Sequence, residues 1–188
     1  DGVNNTNQDI TINVTDVVEN TAPVFTSNAA FTAAENQISI GSVVTSDAES
    51  DSITYSLSGT DASSLAISSS GVLTFSSSPD YETKTSYSAS VTANDGTNVT
   101  SQAITITITN INDNNPAISS DASFNAAENQ TGIGSVSASD ADGDSLTYSL
   151  SGIDASSLSI SSSGVLTFGS SVDYETKTSY SATVSVSD

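Results

Sequence analysis

The chain has no cysteine, no histidine and no tryptophan, and in 188 residues only two cationic side chains, Lys84 and Lys177. Without Cys there is no disulfide framework and no thiolate site. Without His there is no imidazole ligand and no Ser-His or Cys-His nucleophile pair. Without Trp a sugar has no broad ring to stack on, which weakens any reading of Asp80 and Glu82 as a glycosidase pair. Two cations against 22 acidic residues leave a net charge of −20, which repels phosphate and disfavours nucleic acid and anionic membranes as partners. Only oxygen ligands remain, so these absences point to a hard cation, and a cage of several carboxylates favours Ca²⁺ over Mg²⁺, which keeps its own waters. The bland alternative for an average acidic residue is a solvated, solubilising surface. Position along the chain separates the two.

What is present is a repeat. Shifted by 93 residues, Pro23–Asp95 aligns with Pro116–Asp188 without a gap, and 52 of the 73 pairs are identical. That period exceeds solenoid and propeller units and matches a complete small domain. The opening stretch DGVNNTNQDITINVTDV also echoes DGTNVTSQAITITITNI from Asp95 to Ile111. The expected organisation is residues 1–22 as the last strand and linker of a preceding repeat, 23–115 as a complete repeat with its linker, and 116–188 as a second repeat truncated before its last strand. Both ends fall inside a repeat, so the 188 residues are expected to be a window on a longer tandem array. No apolar run of membrane-spanning length, signal peptide or lipidation motif can be read, which in a window says nothing of the parent.

The local pattern is all-β. Tyr87, Ala89, Val91 and Ala93 alternate with polar neighbours, as do Ile104, Ile106 and Ile108, which predicts two half-buried antiparallel strands. Asp95-Gly96 between them supplies the turn that closes a hairpin. Ile53, Tyr55 and Leu57 form a further inward row, Leu73 and Phe75 another, and Ser69-Ser70-Gly71 a turn. The Tyr and Phe residues sit at inward positions and are expected in the core. Short strands at about ten-residue spacing predict a two-sheet Greek-key sandwich in each repeat.

Five motifs recur in order: Ala34-Glu35-Asn36, Asp47 to Asp51 (DAESD), Asp80-Tyr81-Glu82, Asn94-Asp95-Gly96 and Asn110 to Pro116 (NINDNNP). The second copy has Glu128, Asp140-Ala141-Asp142-Gly143-Asp144, Asp173-Tyr174-Glu175 and Asp188. This series resembles cadherin repeats over essentially the whole chain, most of all the cadherin-like tandem repeats of large bacterial surface proteins. The resemblance implies a tandem cadherin/immunoglobulin-like fold and a Ca²⁺ cluster at each inter-repeat joint. At the second joint it implies as ligands Glu35, Asp80 and Glu82, then Ile111 by its carbonyl, Asn112, Asp113 and Asn114, then Asp140, Asp142 and Asp188. Seven of these are carboxylates, and three Ca²⁺ ions, the family's usual complement, would nearly neutralise them; without metal they would repel across the joint.

The first joint departs from this pattern. It reads Val18-Glu19-Asn20 with one additional residue before Pro23, and its downstream motif has Glu49 where the second copy has Asp142. Val18 offers no side-chain oxygen, so the expected set there is Glu19, Asp47, Glu49 and Asp95. At the far end Glu128, Asp173 and Glu175 await a linker and are expected to bind weakly at most. DADGD from Asp140 is not an EF-hand start, because its Gly comes early and position twelve would be Ser151 rather than Glu. Asn4, Asn13, Asn98 and Asn129 head sequons of the kind an Asn/Ser/Thr-rich chain contains by chance. Lys84 and Lys177, beside the Asp-Tyr-Glu motifs, are expected to tune local charge.

The implied function is non-enzymatic: a Ca²⁺-rigidified spacer in a long extracellular adhesin or filament at the cell surface, partnered by adjacent repeats of the same chain. The alternative is an adhesive module that recognises like chains or surface glycans directly. Near-identity between copies and outward Ser and Thr, with few aromatic or Arg anchors, favour the spacer.

Overall fold

The computed structural model describes residues 2–17 and 19–188; Val18 lies outside them. The first repeat contributes β1 (Val24–Phe25), β2 (Ala30–Ala34), β3 (Ser39–Ser42), β4 (Thr45–Ser46), β5 (Thr54–Ser58), β6 (Leu65–Ile67), β7 (Val72–Phe75), β8 (Ser86–Asn94) and β9 (Val99–Thr109). The second contributes β10 (Ala117–Ile118), β11 (Gly132–Ser135), β12 (Ala138–Ser139), β13 (Thr147–Ser151), β14 (Leu158–Ile160), β15 (Val165–Phe168) and β16 (Thr183–Ser187). The only helices among the described residues are two single 3-10 turns, Ala62–Ser64 and Ala155–Ser157. The expected all-β sandwich class is the one observed.

Strand order follows from the alternation. β2, β9, β8 and β5 form one sheet in that order, and β3, β7 and β6 a second. In the register of β5 on β8, Tyr55 faces Ala93 and Leu57 faces Val91, so two inward rows meet on one face. Val91, Ala93 and Ile106 are fully buried, Ile104 and Ile108 nearly so, and Leu73 and Phe75 close the core from the other sheet. Phe75 meets the ring of Tyr87 edge-on at 5.0 Å, the favoured aromatic geometry. The β8–β9 hairpin turns at Gly96, whose φ of 99° is open to glycine.

By contacts the chain divides into two compact units. The first is Asp1–Phe31, Ile38–Ser77 and Tyr87–Ile106; the second is Thr32–Gln37, Ser78–Ser86 and Thr107–Asp188. The second unit thus gathers the Glu35 and Asp80-Tyr81-Glu82 segments with the linker and the second repeat.

Within the second repeat β13 pairs with β16, β11 and β14 flank β15, and β10 pairs with β12. Gly164, at φ 80°, passes so close to Val136 that a Cβ would lie 2.1 Å from its carbonyl oxygen. Gly71 stands in the same relation to Val43 at 2.3 Å, so both copies need glycine there. The ring pair recurs as Phe168 on Tyr180 at 5.0 Å.

One expectation fails here. Tyr174 is 62% exposed rather than in the core, and Glu128, which accepts its N–H, is exposed as well. Lys177 tunes the charge of a carboxylate outside the Asp-Tyr-Glu motif: its Nζ pairs with the buried Asp154 and lies 4.6 Å from the Tyr180 ring centre. A carboxylate buried there needs a cation, and the flexible lysine stem supplies it. Asp154 also accepts the Ser181 N–H at 2.8 Å, as Asp61 accepts that of Ser88.

Candidate metal centre

Four carboxylates converge in the second unit. Glu35, Glu82, Asp113 and Asp142 each place an oxygen within 4.8 Å of the others. Local geometry explains how segments so far apart in sequence meet. Glu35 follows β2 and is 2% exposed; one oxygen accepts the Ile111 N–H at 2.8 Å and the other the Tyr81 N–H at 2.8 Å. That one side chain therefore ties the linker to the Asp-Tyr-Glu turn. The following residue, Asn36, has φ 61°, a left-handed conformation that Asn tolerates, and its amide reaches Asp113.

From the other side Asp142 accepts the N–H groups of Asp113 and Asn114 at 3.1 and 2.8 Å. The Asn114 amide donates to Asp113 at 2.8 Å and to Glu82 at 3.3 Å, and the Asn110 amide to the Asp142 carbonyl at 2.8 Å. Glu35, Asn36, Asp80, Glu82, Asp113, Asn114 and Ala141 line a cavity of about 260 Å³ that no cationic residue lines.

Electrostatics show the strain of this arrangement. Burial, then the proximity of Glu35 and Asp142, push the Glu82 carboxyl above its ordinary value. Burial works against the Asp142 carboxylate too, but the Asn114 and Asp113 donors hold it below the usual range. Beside them Asp140, Asp142 and Asp144 form a second group of three, and Asp140 Oδ2 is buried with no hydrogen-bond partner. A buried carboxylate oxygen without a donor is costly and fits a bound cation.

The remaining expected ligands are placed as follows. Asp80 lines the cavity, but its oxygens serve its own turn, accepting from Glu82 N, Thr83 N and the Thr83 hydroxyl; the Thr83 hydroxyl keeps its carboxyl below the ordinary value. Ile111 enters the network through its N–H, and Asn112 is exposed. Asp188 is exposed and outside all three carboxylate groups found among the described residues. Asn36, Asn110 and Asp144, which the sequence reading placed in its motifs but not among the ligands, join these groups. The signal for Asn36 was its repetition in both Ala-Glu-Asn motifs.

In the first unit the Glu49 carboxylate accepts the Thr21 N–H at 3.2 Å and hydroxyl at 2.8 Å, and the Asn98 amide donates to the Asn20 carbonyl at 3.0 Å. Asp95 accepts the N–H of Asn98 at 2.6 Å and of Thr97 at 2.7 Å, which lower its carboxyl despite burial. No trio of carboxylates as tight as those of the second unit forms there among the described residues, and Glu19 is exposed. Yet Asn20 Oδ1, Asp47 Oδ2 and Asp95 Oδ2 are all buried without a partner. At the far end Glu128, Asp173 and Glu175 do converge within 4.8 Å, but all three are exposed.

Comparison with known proteins places the fold. Residues 20–109 match the family described as a bacterial Ig domain. The chain is similar in structure to human protocadherin-24 EC1-2, with 23% identity, TM-score 0.72, and 85% of this chain and 82% of that one covered. It is similar to mouse cadherin-23 EC22-24, with 26% identity, TM-score 0.70 and coverage of 84% and 56%. Likewise the human desmocollin-1 ectodomain shares 22% identity, TM-score 0.72 and coverage of 90% and 38%. No curated protein matches in sequence. No helix among the described residues is long and apolar enough to cross a membrane. The chain is therefore cadherin-like in fold, and its residues 20–109 carry the bacterial Ig family signature.

Proposed function

We propose that this chain is a Ca²⁺-binding, non-enzymatic spacer of an extracellular surface filament or adhesin, organised as repeats at 23–115 and 116–188 behind a strand and linker at 1–22. The observation that carries the reading is the convergence of Glu35, Glu82, Asp113 and Asp142 within 4.8 Å around a cavity without a lysine. Like charges at that spacing repel unless a cation stands between them. Glu35, Glu82, Asp113 and Asp142, with Asp140 and Asp144 beside them, would hold the metal, which supplies the positive charge this set lacks.

The donor chemistry supports Ca²⁺: oxygen alone, mostly carboxylate, from flexible loops and strand ends. Extracellular modules of this kind bind in the range of about 10⁻⁴ to 10⁻³ M, so occupancy depends on a calcium-rich exterior. The orphaned oxygens of Asn20, Asp47 and Asp95 make the first joint a second, partial site, while the exposed Glu128, Asp173 and Glu175 form the weakest.

Ligands from the end of one repeat, the linker and the start of the next cannot separate while they share an ion. Calcium would therefore remove the freedom of the joint, and the chain would act as a stiffened spacer. Small-angle scattering tests this: millimolar Ca²⁺ is expected to narrow the distribution of inter-repeat distances and to raise the melting temperature relative to chelator. Indistinguishable profiles and melts in the two conditions refute it. Ca²⁺-dependent binding of the chain to a glycan array would instead favour direct adhesion.

A further inference from the structure

No residue of β1 to β16 is charged, although the chain holds 22 acids and two lysines. Sheets in natural proteins keep their edges apart with charges, prolines, bulges, short strands or a covering segment, so uncharged strands need one of the other devices. Of the four strands that end the two main sheets of the first repeat, three have one. β3 carries a register break between Ser39 and Gly41, and β6 is only three residues long. β2 belongs to a segment that pairs first with β4, as β1, and then with β9, so the chain switches layers beside that edge. The fourth has none. β5, Thr-Tyr-Ser-Leu-Ser, ends the four-stranded sheet, pairs with β8 over five consecutive residues without a shift, and contains neither Gly nor Pro. β13 has the same five residues and pairs as regularly with β16.

This bare edge is complementary to itself. Laid antiparallel about Ser56, a second β5 sets Thr54 against Ser58, Ser56 against Ser56 and Tyr55 against Leu57. In both β5 and β13 the hydroxyl positions are exposed and the Tyr and Leu half-buried, and a two-fold axis perpendicular to the sheet keeps each inward row on the inner side. Charge also selects the site. Two chains that each carry −20 approach with least repulsion where charge is absent. The acids nearest β5, Asp51 and Asp61, lie three residues beyond its ends, and Asp61 is buried and accepts the Ser88 N–H. Those nearest β13 are Asp144 and Asp154, and Asp154 is paired with Lys177.

We propose that the outer edges of β5 and β13 are lateral contacts between copies of this chain, each edge adding antiparallel to the same edge of a second copy so that two sheets become one. Main-chain hydrogen bonds supply the affinity, and the Tyr–Leu and hydroxyl pairs fix the register. The contact is isologous, because the same patch serves both partners. The net charge opposes it at low ionic strength, and salt relieves it.

Sedimentation velocity of the whole chain tests this, with chelator present so that the outcome is independent of any calcium site. The mean mass should rise with concentration and rise further with added salt. Ser56→Glu combined with Ser149→Glu sets like charges directly opposite each other at both pivots and should leave monomer at the same concentrations. Thr105→Glu combined with Thr107→Glu adds the same charge on the exposed face of β9 and should associate as the parent does. Because the chain has no cysteine, one introduced thiol reads the register. Opposed residues of an antiparallel pair stand about 4.5–5.5 Å apart at Cα, within disulfide reach. Ser56→Cys and Ser149→Cys should therefore each give disulfide-linked dimers under mild oxidation, and Thr105→Cys should stay monomeric over the same period. A parent chain that remains monomeric in high salt overturns the proposal, as would follow if these edges were reserved for a strand of a different protein. So does association undiminished by the paired Ser→Glu changes, or cross-linking at Thr105→Cys as fast as at Ser56→Cys.

Discussion

The two repeats are 52 of 73 residues identical and share turns, ring pairs and strand registers, yet they differ in burial. In the first, Leu65, Phe75, Ala89, Val91 and Ala93 are buried; the matching Leu158, Phe168, Ala182, Val184 and Val186 are half-buried. Glu35 is 2% exposed while Glu128 is exposed. One strand accompanies this difference: β9 pairs with both β8 and β2 and carries Ile104, Ile106 and Ile108 into the core, and within 116–188, where no such strand is present, residues 123–127 form no strand. Burial in a sandwich is a property of the completed sheet, so an identical side chain has no fixed environment.

The largest test of this comparison appends a β9 sequence to the second repeat. Fusing the sequence of residues 96–111 after Asp188 should bury three further aliphatic side chains, each worth about 1.5–3 kcal/mol, and raise the second repeat's thermal midpoint to that of the first. Two unequal transitions persisting in calorimetry would show that something other than β9 separates the repeats. Next, Ile106→Ala should cost about 2–5 kcal/mol, whereas Ile12→Ala in dilute solution should fall within about 0.5 kcal/mol of the parent. Comparable losses in denaturant titrations would contradict the burial contrast.

The acidic clusters offer a finer contrast between the same motifs. With Ca²⁺ at about 100 times its dissociation constant the bound state gains ~2.7 kcal/mol. Asp113→Ala should abolish most of that gain, and Glu175→Gln should leave it intact, as read by melts with and without chelator. The smallest effect is acid sensitivity. Asp154 is held below the ordinary carboxylate value by hydrogen bonds from Lys177 and the Ser181 N–H. A lowered folded-state pKa stabilises fully above the unfolded value, about 3.9, and is lost as pH falls through the folded one. Lys177→Met should therefore shift the acid unfolding midpoint of the second repeat upward, and an unchanged midpoint would show that the pair contributes nothing.

Much of the architecture was legible because strand signals are local. The alternation at Tyr87 to Ala93 and Ile104 to Ile108 became β8 and β9, and Asp95-Gly96 became their hairpin turn. The acidic motifs were legible as well, and the resemblance to cadherin repeats put Glu35, Glu82, Asp113 and Asp142 among the expected ligands. What could not be read was which oxygens stay free. Asp80 and Asp142 look alike as sequence, but Asp80 spends its oxygens on its own turn while Asp142 turns toward the linker. The Lys177–Asp154 pair and the orphaned oxygens of Asn20, Asp47 and Asp95 were likewise invisible, because they depend on packing between segments distant along the chain.

The sequence by itself determined the strand content, the repeat and the restriction to oxygen ligands, because periodicity, identity and the lack of His and Cys are properties of neighbouring residues and of composition. Tertiary structure alone decided that four particular carboxylates meet, that oxygens of Asn20, Asp47, Asp95 and Asp140 are buried without donors, and that side chains buried in one repeat are half-buried in its near-copy. These outcomes require strands to find partners, and a strand's partner is set by the whole sheet rather than by the strand's own residues.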